Sequence, residues 1–489
     1  MRLPAGRAGF LLLFATTALF AASPGAPLAD AAEQTDQAAI RALLAQHADV
    51  NAPQVDGMTA LHWAAFRDDI EAARLLLQAG ANAKAANRYG VTPLSLACTN
   101  GNGAMVELLL RAGADPNTTL PGGETVLMTA ARTGRVAAVQ SLIAHDALVN
   151  AKEPRRGQTA LMWAAAEGNV EAIEALIAGG ANPRERLDSG YTPFLFAVRE
   201  GRLNAVRALL KAGADVNETV EPHKGSGPRP ASGAGAPRAG ESALVLAAAN
   251  AHFELAAYLL DRGADPNAAG AGYTALHVVP SIRKPGLGDN DPAPEGSGNM
   301  TSLEFVKKLV DKGANINARM TKSIKFGLTG LNTMGATPYF LAARTADAEL
   351  MRYLAKLGAD PSIPNADNST ALMAAAGLGT RSPGEDAGSE SEVVEAMQAA
   401  LDLGADIDAV DNNGETAMHG AAYKNLPKAV EFLAAKGAKR EIWDRKNKEG
   451  WTPLTIAEGH RFGNFKPSLV TVEALHRVMG DTGTERAEK

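Results

Sequence analysis

Apolar residues along this chain recur as two short helical patterns in tandem. A Thr or Ser opens each unit, and an apolar run rich in Ala follows: TALHWAA from Thr59, TPLSLAC from Thr92, TVLMTAA from Thr125, TALMWAA from Thr159, TPFLFAV from Thr192 and SALVLAA from Ser242. Five more come after these, TALHVVP from Thr274, TPYFLAA from Thr337, TALMAAA from Thr370, TAMHGAA from Thr416 and TPLTIAE from Thr452. The first four intervals between opening threonines are 33, 33, 34 and 33 residues. In the uninterrupted units a second apolar stretch at helical spacing follows and ends in Gly-Ala-Asp or Gly-Ala-Asn, as in LLLQAGANA and LLKAGADVN. The pattern predicts helix, turn, helix, stop. A Thr hydroxyl ahead of an apolar run accepts from a backbone N–H that the first helical turn leaves unpaired. Pro93, Pro193, Pro338 and Pro453 stand at the first helical position, where no N–H is needed. Gly80, Gly113, Gly213, Gly263, Gly313, Gly358, Gly404 and Gly437 end the second helix where the backbone turns left-handed, and Asp146 stands in once. Helices this short are marginal alone in water, so stacking against neighbouring units must hold them.

The period, the Thr-Pro-Leu-His type of opening (closest in TALHWAA, TALHVVP and TAMHGAA), the Leu-Leu pair and the Gly-Ala-Asp ending resemble the ankyrin repeat over roughly residues 34–480. The resemblance implies an all-α repeat fold, an ankyrin-type solenoid of about eleven helix-turn-helix repeats with finger hairpins, preceded by a signal peptide. Residues 37–51 look like a lone second helix that begins the stack, and residues 451–479 like a cap with a long inter-helix loop. The whole chain is also similar to exported bacterial ankyrin-repeat proteins, a group without an assigned molecular function.

The period breaks in the middle of the chain. From Thr192 to Ser242 is 50 residues, from Thr274 to Thr337 is 63 and from Thr370 to Thr416 is 46. Residues 217–240 and 318–335 lengthen the finger between repeats, whereas 280–301 and 377–390 lengthen the turn inside a repeat. Their Gly, Pro and Ser content marks them as loops. The resemblance implies that fingers and inter-helix turns lie on opposite edges, so the insertions are expected to decorate both edges of the fifth to ninth repeats. The organisation expected is a signal peptide over 1–29 and a single solenoid over 30–480, followed by a charged tail over 481–489. Within the solenoid, regular repeats occupy 37–217, loop-inserted repeats 218–410, and C-terminal repeats with the cap 411–480.

Two arginines, Arg2 and Arg7, precede an apolar run of 14 residues from Gly9 to Ala22, and small residues follow. That order is a secretory signal peptide, with cleavage expected after Ala29 or Ala31. The run is shorter than the roughly 18 to 20 residues that cross a bilayer. Over the chain 48 basic residues face 54 acidic ones, a net charge of −6. Removing residues 1–29 takes away Arg2 and Arg7 and no acid, which leaves 46 against 54, or −8. An acidic chain opposes a phosphate backbone, so no nucleic acid is expected as a partner. Nor is stable membrane insertion expected once the leader is removed, and the location expected is the periplasm or the medium beyond it. Cys98 is the single cysteine, which excludes an internal disulfide and any Cys-rich zinc site. It reads as a small buried hydrophobe.

Chemistry is sparse. His62, His277 and His419 hold the fourth position of the opening motif, where the resemblance implies an imidazole bonded to the neighbouring repeat's backbone. Trp63 and Trp163 read as packing between repeats. Asp289, Asn290 and Asp291, and the group Glu385, Asp386, Glu390 and Glu392, lack the spaced loop of a calcium site and read as solvated surface. No nucleophile elbow, His-Glu-x-x-His or phosphate-cradling GxxxxGK[ST] appears, so neither an enzyme nor a metal or other cofactor is expected.

Surface recognition remains. In an ankyrin stack the positions flanking the glycine before each Thr, and the pair after each Ala-Ala, line a concave groove. Here they include Phe66, Arg67, Arg88, Tyr89, Arg132, Arg155, Arg156, Tyr191, Arg199, Tyr423 and Trp451. Aromatics and Arg are enriched at binding hot spots. Arginines gathered in the groove of an acidic chain would suit an acidic or extended protein segment. The function expected is therefore an exported scaffold that binds another protein through its groove and inserted loops. The alternative is a carbohydrate or small-molecule binder, with or without hydrolytic activity, using a pocket under the insertions of the second half. The repeat itself encodes neither the partner's identity nor an oligomeric state.

Overall fold

The computed structural model describes residues 25–221, 238–286, 294–324, 329–463 and 466–480. Those residues form 25 α-helices, joined by turns and by the isolated bridges Thr119–Thr125, Thr219–Ser242 and Thr329–Thr380. The chain divides into two units, residues 1–148 and 149–489.

The first unit stacks four helix pairs: α1 (Pro27–Glu33) with α2 (Gln37–Ala45), α3 (Ala60–Phe66) with α4 (Ile70–Gln78), α5 (Pro93–Asn100) with α6 (Gly103–Arg111), and α7 (Val126–Thr133) with α8 (Val136–Ala144). Thr92 shows why the opening threonine starts a helix. Its hydroxyl accepts from the Ser95 N–H at 3.1 Å, and the Ser95 hydroxyl accepts in return from the Thr92 N–H at 2.9 Å. Leu61, Leu94 and Leu127, with the small residues Ala64, Ala97 and Ala130, are buried between successive first helices. Gly80 ends α4 at φ +92°, a conformation that a Cβ would strain. Asp146 takes the same place after α8 at φ +65°. Residues 37–51 are not a lone second helix. α1 packs against α2 and α3 with Leu28, Ala29, Ala31 and Ala32 buried, and Gln54 of the following finger donates to Asp30 at 2.7 Å and to Glu33 at 2.9 Å.

The second unit continues the pairing. It holds the regular pairs α9 (Ala160–Glu167) with α10 (Val170–Ala178) and α11 (Pro193–Arg199) with α12 (Leu203–Lys211), and then, among the insertions, α13 (Ala243–Ala249), α14 (Phe253–Asp261), α15 (Ala275–Arg283) and α16 (Ser302–Asp311). Then come α17 (Pro338–Arg344), α18 (Ala348–Lys356), α19 (Ala371–Ala376), α20 (Glu390–Asp402), α21 (Ala417–Tyr423) and α22 (Pro427–Ala435). A single turn, α23 (Arg440–Trp443), precedes the last pair, α24 (Pro453–Ala457) and α25 (Leu469–Met479). An amide ladder joins consecutive repeats at the end of each second helix. Asn150 donates to the Gly180 carbonyl at 2.9 Å and accepts from the Asn182 N–H at 2.8 Å, and Asn267 does the same with Gly313 and Asn315. Where the ladder position is Arg184, its guanidinium reaches the Gly213 carbonyl at 3.0 Å instead.

The insertions do not keep to opposite edges. Gly330, in the finger insertion, donates its N–H to the carbonyl of Gly379, in the turn between α19 and α20, at 2.7 Å. That turn also receives Gly286 from the turn between α15 and α16, and Gly463 from the turn after α24. It is a hub because its glycines let four segments approach backbone to backbone.

Candidate functional site

In the first unit Phe66, Arg67 and Arg132 stand at the carboxyl ends of first helices, and Arg88 and Tyr89 at a finger tip. All five are exposed, Phe66 by 45% and Tyr89 by 68%. Trp63 joins them. Its ring meets Phe66 edge-on at 5.8 Å, and the Arg67 guanidinium lies 5.5 Å from the Phe66 centroid and 5.8 Å from that of Trp63. The indole N–H donates to Gln54 at 2.7 Å, the same Gln54 that α1 holds. Asn100 of the next repeat donates to the Phe66 carbonyl at 2.8 Å, fixing the helix end. The result is a pre-ordered aromatic and cationic surface in which Arg67 keeps its face to solvent. Trp63, expected to be packing between repeats, is only half-buried, with its Nε1 edge held by Gln54 of the preceding finger.

The second unit treats its predicted residues differently. Arg155 and Arg156 are exposed at a finger tip whose backbone wraps the buried Glu153 carboxylate, with their N–H groups donating at 2.6 and 2.8 Å. Burial alone would raise the Glu153 pKa, but the donors from Gln158, Arg155 and Arg156 outweigh it and hold it below the ordinary value. Tyr191 presents no surface, contrary to expectation. It is buried against Phe196 at 5.1 Å beneath the Arg199 guanidinium at 5.2 Å, and burial pushes its phenol up to about 12. Arg199 is half-buried and pairs with Glu200 at 2.7 Å, so its charge is matched in place. Tyr423 is also buried, donating to Glu415 at 2.8 Å. Trp451 is half-buried and meets Phe462 edge-on at 5.0 Å. The expected eleven residues therefore resolve into an exposed group of five in the first unit, an exposed pair at 155–156, and four in the second unit that serve packing wholly or in part.

The histidines follow their expected role. His62 accepts the Thr59 N–H at Nδ1 (3.1 Å) and bonds the Val91 carbonyl through Nε2 (3.0 Å). His277 and His419 repeat this with Ala318 at 3.0 Å and Arg445 at 3.2 Å. Cys98 is buried, and burial pushes its thiol up to about 12.

A family model for ankyrin repeats in three copies matches residues 28–119, 127–220 and 387–465, more than half of the chain, and a model for the single ankyrin repeat matches 239–271. The chain belongs to the ankyrin repeat family. Over 96 residues it is 30% identical to Inversin of Gallus gallus, covering 20% of this chain and 8% of that protein, so it spans less than a tenth of this curated relative's length. The crystal structure of the human ASB11 ankyrin repeat domain aligns at 24% identity with a TM-score of 0.41, covering 53% of this chain and 99% of that one.

A second candidate is a cavity of about 560 Å3 between the ankyrin turn insertions at 280–301 and 377–390. Arg283, Lys284 and Lys424 line it together with Asp386, Glu390 and Glu392. Each charge has a partner in the chain. Arg283 pairs with the buried Asp347 at 2.6 Å and with Glu349 at 2.7 Å, Lys284 with Glu392, and Asp386 with Arg344 at 3.4 Å. Glu390 accepts the Lys428 N–H at 2.7 Å. Lys424 donates to the Ala387 carbonyl, and burial lowers its pKa. Hydrogen bonds from Lys284 and Ser389 hold Glu392 down to about 2. The acidic group at 385–392 thus departs from the solvated surface expected of it, because Asp386 and Glu392 brace the turn. Residues 289–291 and most of 217–240 lie outside the described residues. Among the described residues no three His, Cys, Asp or Glu converge on a metal-sized site, and no helix is long and apolar enough to cross a membrane.

Proposed function

We propose that this ankyrin repeat protein is an exported scaffold that recognises another protein through the Trp63, Phe66 and Arg67 surface and the adjoining finger tip of Arg88 and Tyr89. Ankyrin repeats generally serve protein–protein interaction. The observation that carries the finer reading is the exposed Phe66 packed on the half-buried Trp63 and capped by Arg67, because aromatics held by Gln54 and Asn100 have little entropy to lose on binding. Export rests on Arg2, Arg7 and the apolar run from Gly9 to Ala22. Cleavage after Ala29 or Ala31 would cut α1 and expose the partners of Leu28 and Ala29, so processing belongs on the amino-terminal side of Pro27. The cavity between the turn insertions favours the small-molecule alternative less, because its carboxylates are already committed to Lys284, Arg344 and the Lys428 amide.

The test compares the parent with a Phe66→Ser, Arg67→Glu variant as baits after mild cross-linking in the native periplasm. One dominant protein captured by the parent and lost by the variant, with the thermal midpoint within a few degrees, is the expected result. Equal capture by both would move the site away from α3, and an empty capture by both would reject the scaffold reading in favour of screens on the cavity.

A further inference from the structure

The 318–335 insertion starts and ends in the row of fingers. Met320 and Ala336 pair across its base, Met320 N–H to the Ala336 carbonyl at 2.9 Å and Gly335 N–H to the Met320 carbonyl at 2.8 Å. Thr321 N–H reaches the preceding finger at the Gly272 carbonyl (2.9 Å), and Ala366 N–H of the following finger donates to the Met334 carbonyl at 2.8 Å. The far end leaves that row. Thr329 bridges to Thr380, and Gly330 N–H donates to the Gly379 carbonyl at 2.7 Å. Fingers precede α19 at Thr370, whereas Gly379 and Thr380 follow its carboxyl end. Residues 329–335 therefore run the length of the face that α17 and α19 share.

This crossing segment is seated rather than draped. Thr329, Leu331 and Thr333 are buried, and Asn365 holds the Asn332 carbonyl at 2.8 Å. Gly379 has φ +79°, and a Cβ there would lie 2.5 Å from the Leu331 nitrogen, so only glycine allows the approach. The helix-end position that is open at Phe66 and Arg132 is closed at Arg344. The strap is thus held by a main-chain hydrogen bond and a buried leucine, the two kinds of contact, main-chain pairing and side-chain burial, by which proteins bind extended peptides.

We propose that the face shared by α17 and α19 is a peptide-binding site that the protein occupies in cis with its own residues 329–335. The ligand class it accepts is a non-helical segment that offers a backbone N–H in the place of Gly330 and a leucine-sized apolar side chain in the place of Leu331. A tethered occupant competes at high effective concentration, so an outside segment meets a site that is nearly always filled and binds only when the strap is released. The inference stands apart from the proposed recognition surface at α3 and shares no residue with it.

Two substitutions within the strap weaken its hold while leaving the site and the stacked helices alone. Gly330→Pro removes the donated N–H, and Leu331→Ser removes the buried apolar side chain. The probe is a synthetic peptide of residues 329–336, titrated by fluorescence anisotropy against the full chain, with amide exchange reporting whether α17 and α19 stay protected. Binding to both variants at least about tenfold tighter than to the parent is expected, because the apparent affinity scales with the open fraction. No gain in either variant with α17 and α19 protected would overturn the proposal. A Thr329→Cys, Thr380→Cys chain keeps the test decisive if the opened variants lose protection. Its reduced form, in which the strap still opens transiently, is expected to bind the peptide as weakly as the parent and its oxidised, locked form to exclude it, and measurable, equal binding by the two forms would refute the site.

Discussion

Replacing His277 and His419 by Ser is expected to lower the protein's stability at neutral pH and, at the same time, to flatten its loss of stability toward acid. Each imidazole is buried, and burial lowers its pKa from 6.5 to about 4. The hydrogen bonds act through the neutral ring: Nδ1 accepts the N–H of Thr274 or Thr416, and Nε2–H reaches a carbonyl of the next finger. In the unfolded chain both rings take up a proton near pH 6.5, whereas in the fold they do so only near 4. Between those values the unfolded state binds more protons, so stability falls as pH falls. At pH 5 the loss is about 2 kcal/mol per ring, and it tends to about 3 kcal/mol below pH 4. The two rings sit in separate repeats, so their effects should add to about 4 kcal/mol at pH 5. Ser is a fair replacement because Ser95 already closes the same capping box with Thr92. It cannot reach the next finger's carbonyl, and the lost volume and hydrogen bond should lower stability by about 2 to 4 kcal/mol per site at pH 7.5. Glu218, Glu241 and Glu415, whose pKa values burial raises, act in the opposite sense in parent and variant alike, so the difference isolates the histidines. Repeat stacks need not unfold in one step, which makes local opening energies from amide exchange at α15 and α21 the proper assay. An unchanged slope between pH 7.5 and 5 in the double variant would refute the reasoning.

Further outcomes follow from the same geometry. Cys98 is wholly buried with its thiol pushed up to about 12, so a maleimide should label the native chain only as fast as the first unit opens; prompt labelling would show the site to be accessible. Arg283→Ala strands the buried Asp347 carboxylate, and a loss of about 3 to 5 kcal/mol is expected, felt together by α15, α17 and α18 in amide exchange. Gly213→Val, at φ +94° with its Cβ in ordinary contact with the Arg184 guanidinium at 3.6 Å, should lose about 1 to 2 kcal/mol from backbone strain and loosen α12 and its immediate neighbours. Intact-mass analysis of the exported protein should place the new amino terminus before Pro27, and a terminus at Asp30 or Ala32 would mean that α1 is not part of the working stack.

Much of the fold is legible because it is local and repeated. The opening Thr, the Pro behind it and the closing Gly each act within one helix turn, so a single repeat carries its own instructions and ten more copies confirm them. The histidine's bond to the neighbouring finger followed from the resemblance to the ankyrin repeat, whereas its second bond, from Nδ1 to the Thr three residues back, is local and went unread. Two kinds of feature were not readable. α1 lies where an apolar leader runs into small residues, and the composition of PLADAA serves a cleavage signal and a short buried helix equally well. Tyr191 and Tyr423 share a register with exposed positions. Tyr423 is buried with Asn447 and Arg461, 24 and 38 residues on, which leave no mark on its own neighbourhood, whereas Tyr191 is covered by Phe196 and Arg199 of the helix it precedes, a signal within eight residues. Trp63 carried a usable signal, a polar Gln54 nine residues earlier able to take its N–H, which argued for a half-exposed ring.

The insertions change what kind of object the second unit is. A pure repeat stack couples each repeat to its neighbours alone, and perturbations die out within one or two units. Here Ser297 meets the Gly201 carbonyl at 3.5 Å across 96 residues, Lys284 pairs with Glu392 across 108, and Gly330 bonds Gly379 over the repeat between them. These ties span intervening turns, with Asp347 and Ala346 buried beneath them. Loops that merely drifted would be expected to carry solvated, unpaired backbone, yet these place glycines where backbones touch and charged groups where opposite charges wait. The braced turns make α15 to α20 a block that should open as one, with α11 and α12 tied to the 280–301 turn through Ser297, whereas α9 and α10 should open as a pair of their own. If the proposed strap is released, the change should be felt across α15 to α20 together and not in α9 and α10.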